Sequence, residues 1–184
     1  MPEPAQKLAF KPVTKARWAD FAALFESKGA PSYCWCMAWR ATADEIRDTG
    51  KDSRKPLLEK RVAAGTTVGL LGYLDGEPVA WVSVAPRDTY RDLGGPPAAP
   101  GEEIWSLACM YLRRQLRGTG HGRELIDAAI GYAKSRKATV LEAYPVDPDS
   151  PSYRFMGFVP AFEKLGFKPM GKAGSRRHVM RLEL

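Results

Sequence analysis

The chain has 184 residues, 45% of them hydrophobic, and a formal net charge of +7. This length and composition predict a single domain over residues 1–184 that buries its core without a structural metal, and three cysteines are too few and odd in number for a disulfide framework. No apolar run approaches the roughly 20 residues of a membrane span and residues 1–15 lack a secretory signal pattern, so we expect a cytoplasmic protein without a membrane partner.

The first elements in chain order are a strand and three helices. Residues 8–13 predict a short strand, after which apolar residues recur at helical spacing from Trp18 to Phe25. Residues 41–64 hold charged, helix-favouring stretches interrupted at Lys51-Asp52-Ser53, which predicts two short helices. Ser53 is suited to cap the second of them.

A β-hairpin and a long loop follow. The β-rich runs 66–73 and 78–85 flank Asp75-Gly76, a strong tight-turn signal, and so predict an antiparallel hairpin. Residues 86–103 contain repeated Gly and Pro, a composition that holds neither a strand nor a helix. We expect a mobile loop there, long enough to be functional.

The second half predicts a β-α-β unit and a closing pair of strands. Residues 104–112 are apolar and predict a buried strand, and an apolar stripe predicts a helix from Gly120 to near Lys137. The remaining predicted segments are a strand at 140–144, an irregular loop at 145–157, a short helix at 159–165 and strands at 167–170 and 178–182. The order contains no internal repeat.

Residues 117–122 form a glycine-rich turn between the predicted strand and the predicted helix. Their sequence is Arg117-Gly118-Thr119-Gly120-His121-Gly122. The first N–H groups of a helix have no helical partner and the helix dipole adds partial positive charge, so such a turn fits a pyrophosphate. Glycines let phosphate oxygens approach the main chain, and Arg117 can add a charge-assisted contact. The alternative is a helix that simply begins with flexible residues.

With these residues the sequence resembles the GNAT superfamily of acyl-CoA-dependent N-acetyltransferases. The turn at 117–122 is similar to the family signature Gln/Arg-x-x-Gly-x-Gly/Ala, and residues 161–167, Ala-Phe-Glu-Lys-Leu-Gly-Phe, are similar to the family's late helix ending in Gly-Phe. The resemblance implies a mixed α/β fold, in which helices flank a central, mostly antiparallel sheet with one splayed parallel strand pair.

The same resemblance implies the donor and its site. The donor is acetyl-CoA, no metal is needed, and the amine attacks the thioester directly in a ternary complex. By resemblance Met110, Tyr111 and Leu112 contact the pantetheine arm. The pyrophosphate would rest on Arg117, Gly118, Thr119, Gly120, His121 and Gly122, although the side chain of His121 could also occupy a variable position without a contact.

The catalytic acid and base depart from the family pattern. Phe162 stands where a Tyr acid is common, and Ser106 stands where a Glu base is common. The replacements we consider are Glu103, Tyr144 and Tyr153, each of which could instead be a solvated charge or a packed ring. Cys109 lies in an apolar strand without an adjacent His, which predicts a core residue and not a nucleophile.

The acceptor side rests on weaker patterns. Residues 33–40, Tyr-Cys-Trp-Cys-Met-Ala-Trp-Arg, predict either one wall of the acceptor pocket or a satellite hydrophobic cluster, while zinc is disfavoured because Cys-x-Cys has no matching pair. The loops at 90–101 and 145–157 could be lids over the acceptor or ordinary surface.

Four functions stay open on the sequence alone. Acetylation of a small-molecule amine is favoured, and acetylation of a protein or peptide amine is the alternative within the same chemistry. A non-catalytic acyl-CoA-binding regulatory domain would explain the missing Tyr and Glu. A nucleic-acid-binding module ranks last, because the basic residues occur in short clusters without a reading motif, so we expect no nucleic-acid partner. The oligomeric state, with a homodimer among the options, is not encoded in any pattern we identify.

Overall fold

The computed structural model describes residues 6–48 and 53–184, which contain seven strands and five α-helices. The strands are β1 (Ala9–Pro12), β2 (Leu70–Leu74), β3 (Glu77–Pro86), β4 (Ile104–Leu112), β5 (Val140–Ala143), β6 (Lys168–Ala173) and β7 (Arg177–Glu183). The helices are α1 (Trp18–Glu26), α2 (Ala43–Asp48), α3 (Arg54–Ala63), α4 (His121–Ser135) and α5 (Val159–Glu163). None of the helices in these residues is both long and apolar enough to cross a membrane.

The seven strands of the described residues form one sheet in the order β1-β2-β3-β4-β5-β7-β6. Neighbours are antiparallel except β4 and β5, which run parallel from Ile104↔Val140 to Leu107↔Ala143. Residues 113–139, which include α4, connect the parallel pair, as a crossover between parallel strands requires. The expected mixed fold with one parallel strand pair is confirmed.

Two apolar layers cover the two faces of the sheet. On one face α4 and α5 bury side chains such as Leu125, Ala129 and Phe162 against the strands. On the other face α1 and α3 surround Trp81, which is fully inaccessible and meets the ring of Phe21 edge-on at 4.8 Å. Hydrophobic burial on both faces therefore holds the middle of the sheet, where β4 lies.

The hairpin turn matches the sequence prediction, but its first strand is shorter than predicted. Asp75 and Gly76 have φ values of 50° and 81°, the two left-handed conformations of a type I′ turn. The strand begins at Leu70 and not at 66, because Gly69 adopts φ +149° with its Cα against the carbonyl of Val82 and the ring of Trp81. A side chain does not fit at that approach.

The predicted cap of α3 is wrong in its chemistry. Ser53 occupies the N-cap position, but its side chain makes no capping hydrogen bond because its backbone is already helical. Lys51 and Asp52, the rest of the predicted interruption, lie outside the described residues.

A β-bulge interrupts the register of β4 at its centre. Ser83 pairs with Cys109 and Val84 pairs with Leu107, so Ala108 is an extra residue without a direct partner on β3. A bulge breaks the in-and-out alternation of a strand. Ala108 and Cys109 therefore both face away from α4, whereas Leu107 and Met110 on either side of them pack toward it.

Candidate active site

The sheet opens beyond the end of β5, because β4 continues past its last pair with β5. The parallel pairing ends at Leu107↔Ala143. Of the remaining five residues of β4, Ala108 has no direct strand partner and the other four pair with β3 alone. After β5 the chain no longer pairs with β4, and Val146 forms isolated β-bridges with Phe158 and Arg177. The two parallel strands thus diverge and leave one side of 108–112 free of a strand partner.

A single cleft of about 720 Å³ follows this opening. One end is lined by Arg117, Gly118 and Gly122, beside the start of α4. The other end is lined by residues between Gly29 and Arg40, including Trp39. We name residues 29–40 the early segment. The middle wall is the free part of β4, residues 108–112, so the glycine turn and the early segment share one continuous space.

The glycine turn presents bare main chain at its end of the cleft. Gly118 and Gly120 have φ values of 77° and 93°, which favour glycine, and Gly120 is the N-cap of α4. A Cβ atom placed on Gly118, Gly120 or Gly122 meets no heavy atom within 4 Å. The first N–H groups of α4 therefore open onto free space that is suited to an anion.

The side chains of this turn are arranged around the main chain. Arg117 Nε donates to the carbonyl of Leu112 at 2.9 Å, which holds the guanidinium at the end of β4. Thr119 Oγ1 donates to the carbonyl of Leu116 at 2.5 Å. His121 is buried and its Nδ1 lies 2.9 Å from Glu124 Oε1, so its ring turns into the protein. Of the predicted donor-site residues, Met110, Tyr111, Leu112, Arg117, Gly118 and Gly122 line the cleft.

The four predicted catalytic residues do not meet at one site, although two of them contact each other. Ser106 and Tyr144 are fully buried, and their hydroxyl oxygens lie 2.7 Å apart, but neither residue lines the cleft. Glu103 is exposed at the far end of β4, where its N–H donates to Thr139. Tyr153 is half-exposed at the rim, with its ring 6.4 Å from that of Trp39.

Sequence reasoning missed a buried carboxylate beside Ser106 and Tyr144. Glu142 has no accessible surface and accepts hydrogen bonds from Tyr144 at 2.6 Å and from Arg181 Nε at 2.7 Å. Arg87 lies 3.4 Å away as a second cation. These five residues, 87, 106, 142, 144 and 181, form what we name the carboxylate cluster. The signal was a lone charged residue within the apolar strand Val-Leu-Glu-Ala-Tyr.

The long loop before β4 covers the carboxylate cluster. A Cβ atom on Gly95 would lie 2.0 Å from Glu142 Oε1, so the loop backbone rests on the carboxylate. The carbonyl of Pro96 accepts from Arg87 at 2.8 Å and from Arg181 at 3.1 Å. Burial, followed by the charge of Glu142, raises the pKa of Tyr144 well above its ordinary value. This hydroxyl keeps its proton at neutral pH.

A second buried cluster lies at the early-segment end of the cleft. Arg40 is buried and donates to the carbonyls of Cys36 and Val68, to Ser83 Oγ and to Tyr90 OH, at 2.7–3.1 Å. Its Nε has no partner, and no carboxylate among residues 6–48 and 53–184 pairs with it. We name Cys36, Arg40, Ser83, Tyr90 and Cys109 the thiol cluster.

The thiol cluster stabilises a negative sulfur. A hydrogen bond from Cys109, and then the charge of Arg40, lower the pKa of Cys36 to about 6 in spite of its burial. The hydrogen bond to Cys36 and burial raise the pKa of Cys109 well above its ordinary value. Burial raises the pKa of Tyr90 to about 12. The directions of the two thiol shifts favour the negative charge on Cys36 and the proton on Cys109.

Both interpretations of residues 33–40 have support in the structure. Tyr33, Cys34, Cys36, Ala38, Trp39 and Arg40 line the cleft. Trp35 and Met37 are buried in the core with Phe21 and Phe25. Cys109, which the sequence predicted as a core residue, is half-buried on the cleft wall. No group of three or more metal-binding side chains occurs in the part of the chain that the structure describes.

Three solved structures with a similar fold carry the names of acetyltransferases. A ribosomal-protein-alanine N-acetyltransferase from Brucella melitensis is 22% identical, with a TM-score of 0.57, over 96% of this chain and 100% of that chain. The aminoglycoside acetyltransferase AAC(6')-Ib, solved with ribostamycin and coenzyme A, is 18% identical, with a TM-score of 0.62, over 97% and 94%. The PaiA N-acetyltransferase from Thermoplasma acidophilum, solved with coenzyme A, is 14% identical, with a TM-score of 0.57, over 97% and 100%.

The opened mixed sheet with its glycine turn thus has the fold of the N-acetyltransferases. The model described as the acetyltransferase (GNAT) family matches residues 17–167, so the chain belongs to the GNAT family. No curated protein matches the sequence significantly.

Proposed function

We propose that the protein transfers the acetyl group of acetyl-CoA to the primary amine of a small molecule, by direct attack in a ternary complex. The observation that carries this proposal is the single cleft that joins the glycine turn to the thiol cluster along the free part of β4. Two substrates can lie end to end in such a space, with the reacting atoms beside the bulge at Ala108. Holding them there supplies the proximity that acyl transfer needs.

The donor end fits the diphosphate of coenzyme A. Gly118, Gly120 and Gly122 leave the space that phosphate oxygens need, and the start of α4 supplies N–H groups and the positive end of the dipole. Arg117 adds a cation at the same end. Met110 to Leu112 have main-chain groups on the side of β4 that lacks a strand partner, as a pantetheine arm requires.

The acceptor end favours amines that are not polycations. Its charged lining residues are Arg40 and Arg154, and no Asp, Glu or His of the described residues lines the cleft. A polycationic amine would meet like charge there, whereas a neutral or carboxylate-bearing amine would not. Trp39, Phe155 and Phe158 offer apolar walls for its remaining part. A peptide amine is the alternative acceptor within the same chemistry.

Calorimetric titration with acetyl-CoA, followed by a thiol-release screen over small amines and peptides, tests this function. Gly122→Glu should weaken acetyl-CoA binding by about tenfold or more, because it places a carboxylate beside the diphosphate without backbone strain. Gly131→Glu is the matched control, since Gly131 is also an exposed glycine of α4 with free space around it but lies outside the cleft.

Unchanged affinity in a folded Gly122→Glu protein would remove the donor site from the glycine turn. Tight acetyl-CoA binding without turnover of any amine or peptide would instead identify a regulatory domain that senses the acyl-CoA.

A further inference from the structure

The cleft lacks the carboxylate and imidazole groups that usually act as bases in acyl transfer, although Tyr33, Tyr90 and Tyr111 line it. Among the described residues that line it there is no Asp, Glu or His, and Phe162 has no transferable proton. The side chains of Ser106 and Tyr144 are enclosed away from the cleft in the carboxylate cluster. The lining does contain three thiols, those of Cys34, Cys36 and Cys109.

We propose that Cys36 and Cys109 are the acid–base pair of the transfer, with the Cys36 thiolate as general base and the Cys109 thiol as general acid. The inference rests on the proposed function, because both roles belong to the attack of an amine on a thioester. It goes beyond that function by assigning the two proton transfers to named atoms.

The geometry holds Cys36 Sγ as an acceptor. Trp81 Nε1 donates to this sulfur at 3.2 Å from the buried core of the sheet. Trp35 and Cys36 have φ values of 47° and 56°, two consecutive left-handed residues that are not glycine. Such conformations cost energy and persist where the surrounding structure enforces them, often at functional sites.

Arg40 supplies the positive charge that a buried thiolate requires. Arg40 is 4% exposed, and its guanidinium donates to neutral oxygens, with no carboxylate partner among the described residues. A buried cation without a counter-ion is costly, so a negative sulfur nearby compensates it. Tyr90 does not provide that charge, because its hydroxyl keeps its proton at neutral pH.

Cys109 is placed where the donor's sulfur would depart. It is the residue after the bulge, half-buried on the cleft wall, and belongs to the free part of β4. It lies directly opposite Ser83 on β3, which accepts a hydrogen bond from Arg40, and it packs in the same apolar cluster as Cys36. The base and the acid therefore belong to one cluster beside the cleft.

The proton balance of the reaction closes within this pair. The amine nitrogen bonds to the thioester carbon, and its proton passes to Cys36 Sγ. The carbon–sulfur bond to coenzyme A breaks, and the departing sulfur takes the proton of Cys109 Sγ. The pair then holds its proton on Cys36 in place of Cys109, and one proton transfer from Cys36 to Cys109 restores the starting state.

The first transfer makes the second easier. The pKa of Cys109 is raised mainly because its proton is hydrogen-bonded to the Cys36 thiolate. Once Cys36 is protonated, that negative acceptor is gone and the pKa of Cys109 falls. Cys109 then becomes a better donor at the moment when the coenzyme sulfur needs a proton.

The pH dependence of kcat tests the base. Cys36 is faced by Trp81 and Ser83 on β3 and by Cys109 on β4. Arg40 of the same segment, Tyr90 of the loop after β3 and the thiol of Cys34 complete the groups around it. Of these, Cys36 ionises near pH 6. With an amine from the thiol-release screen at saturation, kcat should therefore fall as the pH drops through about 6.

The closing experiment compares Cys36→Ser, Cys109→Ser and Cys34→Ser by kcat, by KM for acetyl-CoA and by calorimetric acetyl-CoA affinity. Cys36→Ser and Cys109→Ser should lower kcat by roughly 100-fold, the usual scale of general acid–base catalysis, while acetyl-CoA affinity stays the same. In Cys36→Ser the fall of kcat below about pH 6, which we call the acid limb of the pH profile, should also disappear. Cys34→Ser should keep this acid limb, whatever its effect on KM. Circular dichroism melting confirms that each variant is folded.

The inference is overturned if folded Cys36→Ser keeps its kcat and its acid limb, or if intact mass measurement shows an acetyl group accumulating on either cysteine. The second outcome would mean covalent transfer. If wild-type protein binds no acetyl-CoA or turns over no amine, the proposed function itself fails, and the inference fails with it.

Discussion

Two buried charges on the same face of the sheet are treated in opposite ways. In the carboxylate cluster, Glu142 lies between Arg181 and Arg87 and accepts a hydrogen bond from the hydroxyl of Tyr144. The loop at Gly95 covers it. In the thiol cluster, Arg40 contacts neutral oxygens, leaves its Nε unpartnered and borders the cleft.

The comparison shows which buried charge is structural. The negative charge of Glu142 is compensated by two arginines, and the carboxylate is inaccessible to solvent, so its role is structural. Arg40 is compensated only when a neighbouring sulfur ionises, so its charge is coupled to a group that can titrate near neutral pH. An incompletely paired charge beside a cleft is the one that we expect to serve chemistry.

Glu142→Gln should produce the largest change, because it leaves Arg87 without its carboxylate partner and Arg181 with Glu102 alone, at 3.4 Å. We expect a loss of about 3–5 kcal/mol in the free energy of unfolding, the scale for removing one partner of a buried ion pair. Urea denaturation measures it. Glu183→Gln, an exposed glutamate on β7, is the control and should change stability by less than about 0.5 kcal/mol. Equal effects of the two variants would show that the cluster does not hold the sheet.

Arg40→Met should have a smaller effect on stability and a specific effect on sulfur. The variant leaves neutral groups unpaired, which costs about 1–3 kcal/mol. It also removes a cation that helps to lower the pKa of Cys36, so that pKa should rise from about 6 toward its ordinary value of 9.0. Iodoacetamide labelling of Cys36 against pH, followed by peptide mass spectrometry, measures the shift. A labelling midpoint that stays in place would uncouple the two groups.

Paired Tyr→Phe variants should have the smallest effects and sharpen the contrast. Tyr144→Phe and Tyr90→Phe each remove one hydroxyl from a buried network, at a cost of about 1 kcal/mol. Because Tyr144 is enclosed and Tyr90 lines the cleft, only Tyr90→Phe should alter turnover of the screened amine. Steady-state kinetics with both variants separates them, and a large fall in kcat for Tyr144→Phe would support its predicted catalytic role.

Much of the fold was accessible from local patterns. The hairpin turn at Asp75-Gly76, the apolar stripe of α4 and the glycine turn before it all depend on neighbouring residues, and the structure contains each of them. The start of β2 was misplaced because the approach of Gly69 to Trp81 is a contact between distant segments. Local propensity carries no signal for such a contact.

The site was accessible only in part, for the same reason. The donor end is built from consecutive residues, 117–122, so one motif describes it. The thiol cluster joins residues from four separate segments, at positions 36, 40, 83, 90 and 109. Counted from Leu107, strict alternation would place Cys109 on the face of α4, and the β-bulge that reverses this is not predicted by any residue type in the sequence.

The extra residue in β4 is one that a relative of this chain could lose. Deleting Ala108 would restore strict alternation and would leave Cys109 facing away from α4, because Leu107 and Met110 on either side of it would still pack toward that helix. Loss of one codon there would thus straighten the strand without moving the sulfur across the sheet. An engineer grafting this thiol pair onto another scaffold could therefore use a regular strand, provided that the residues on both sides of the cysteine point to the opposite face.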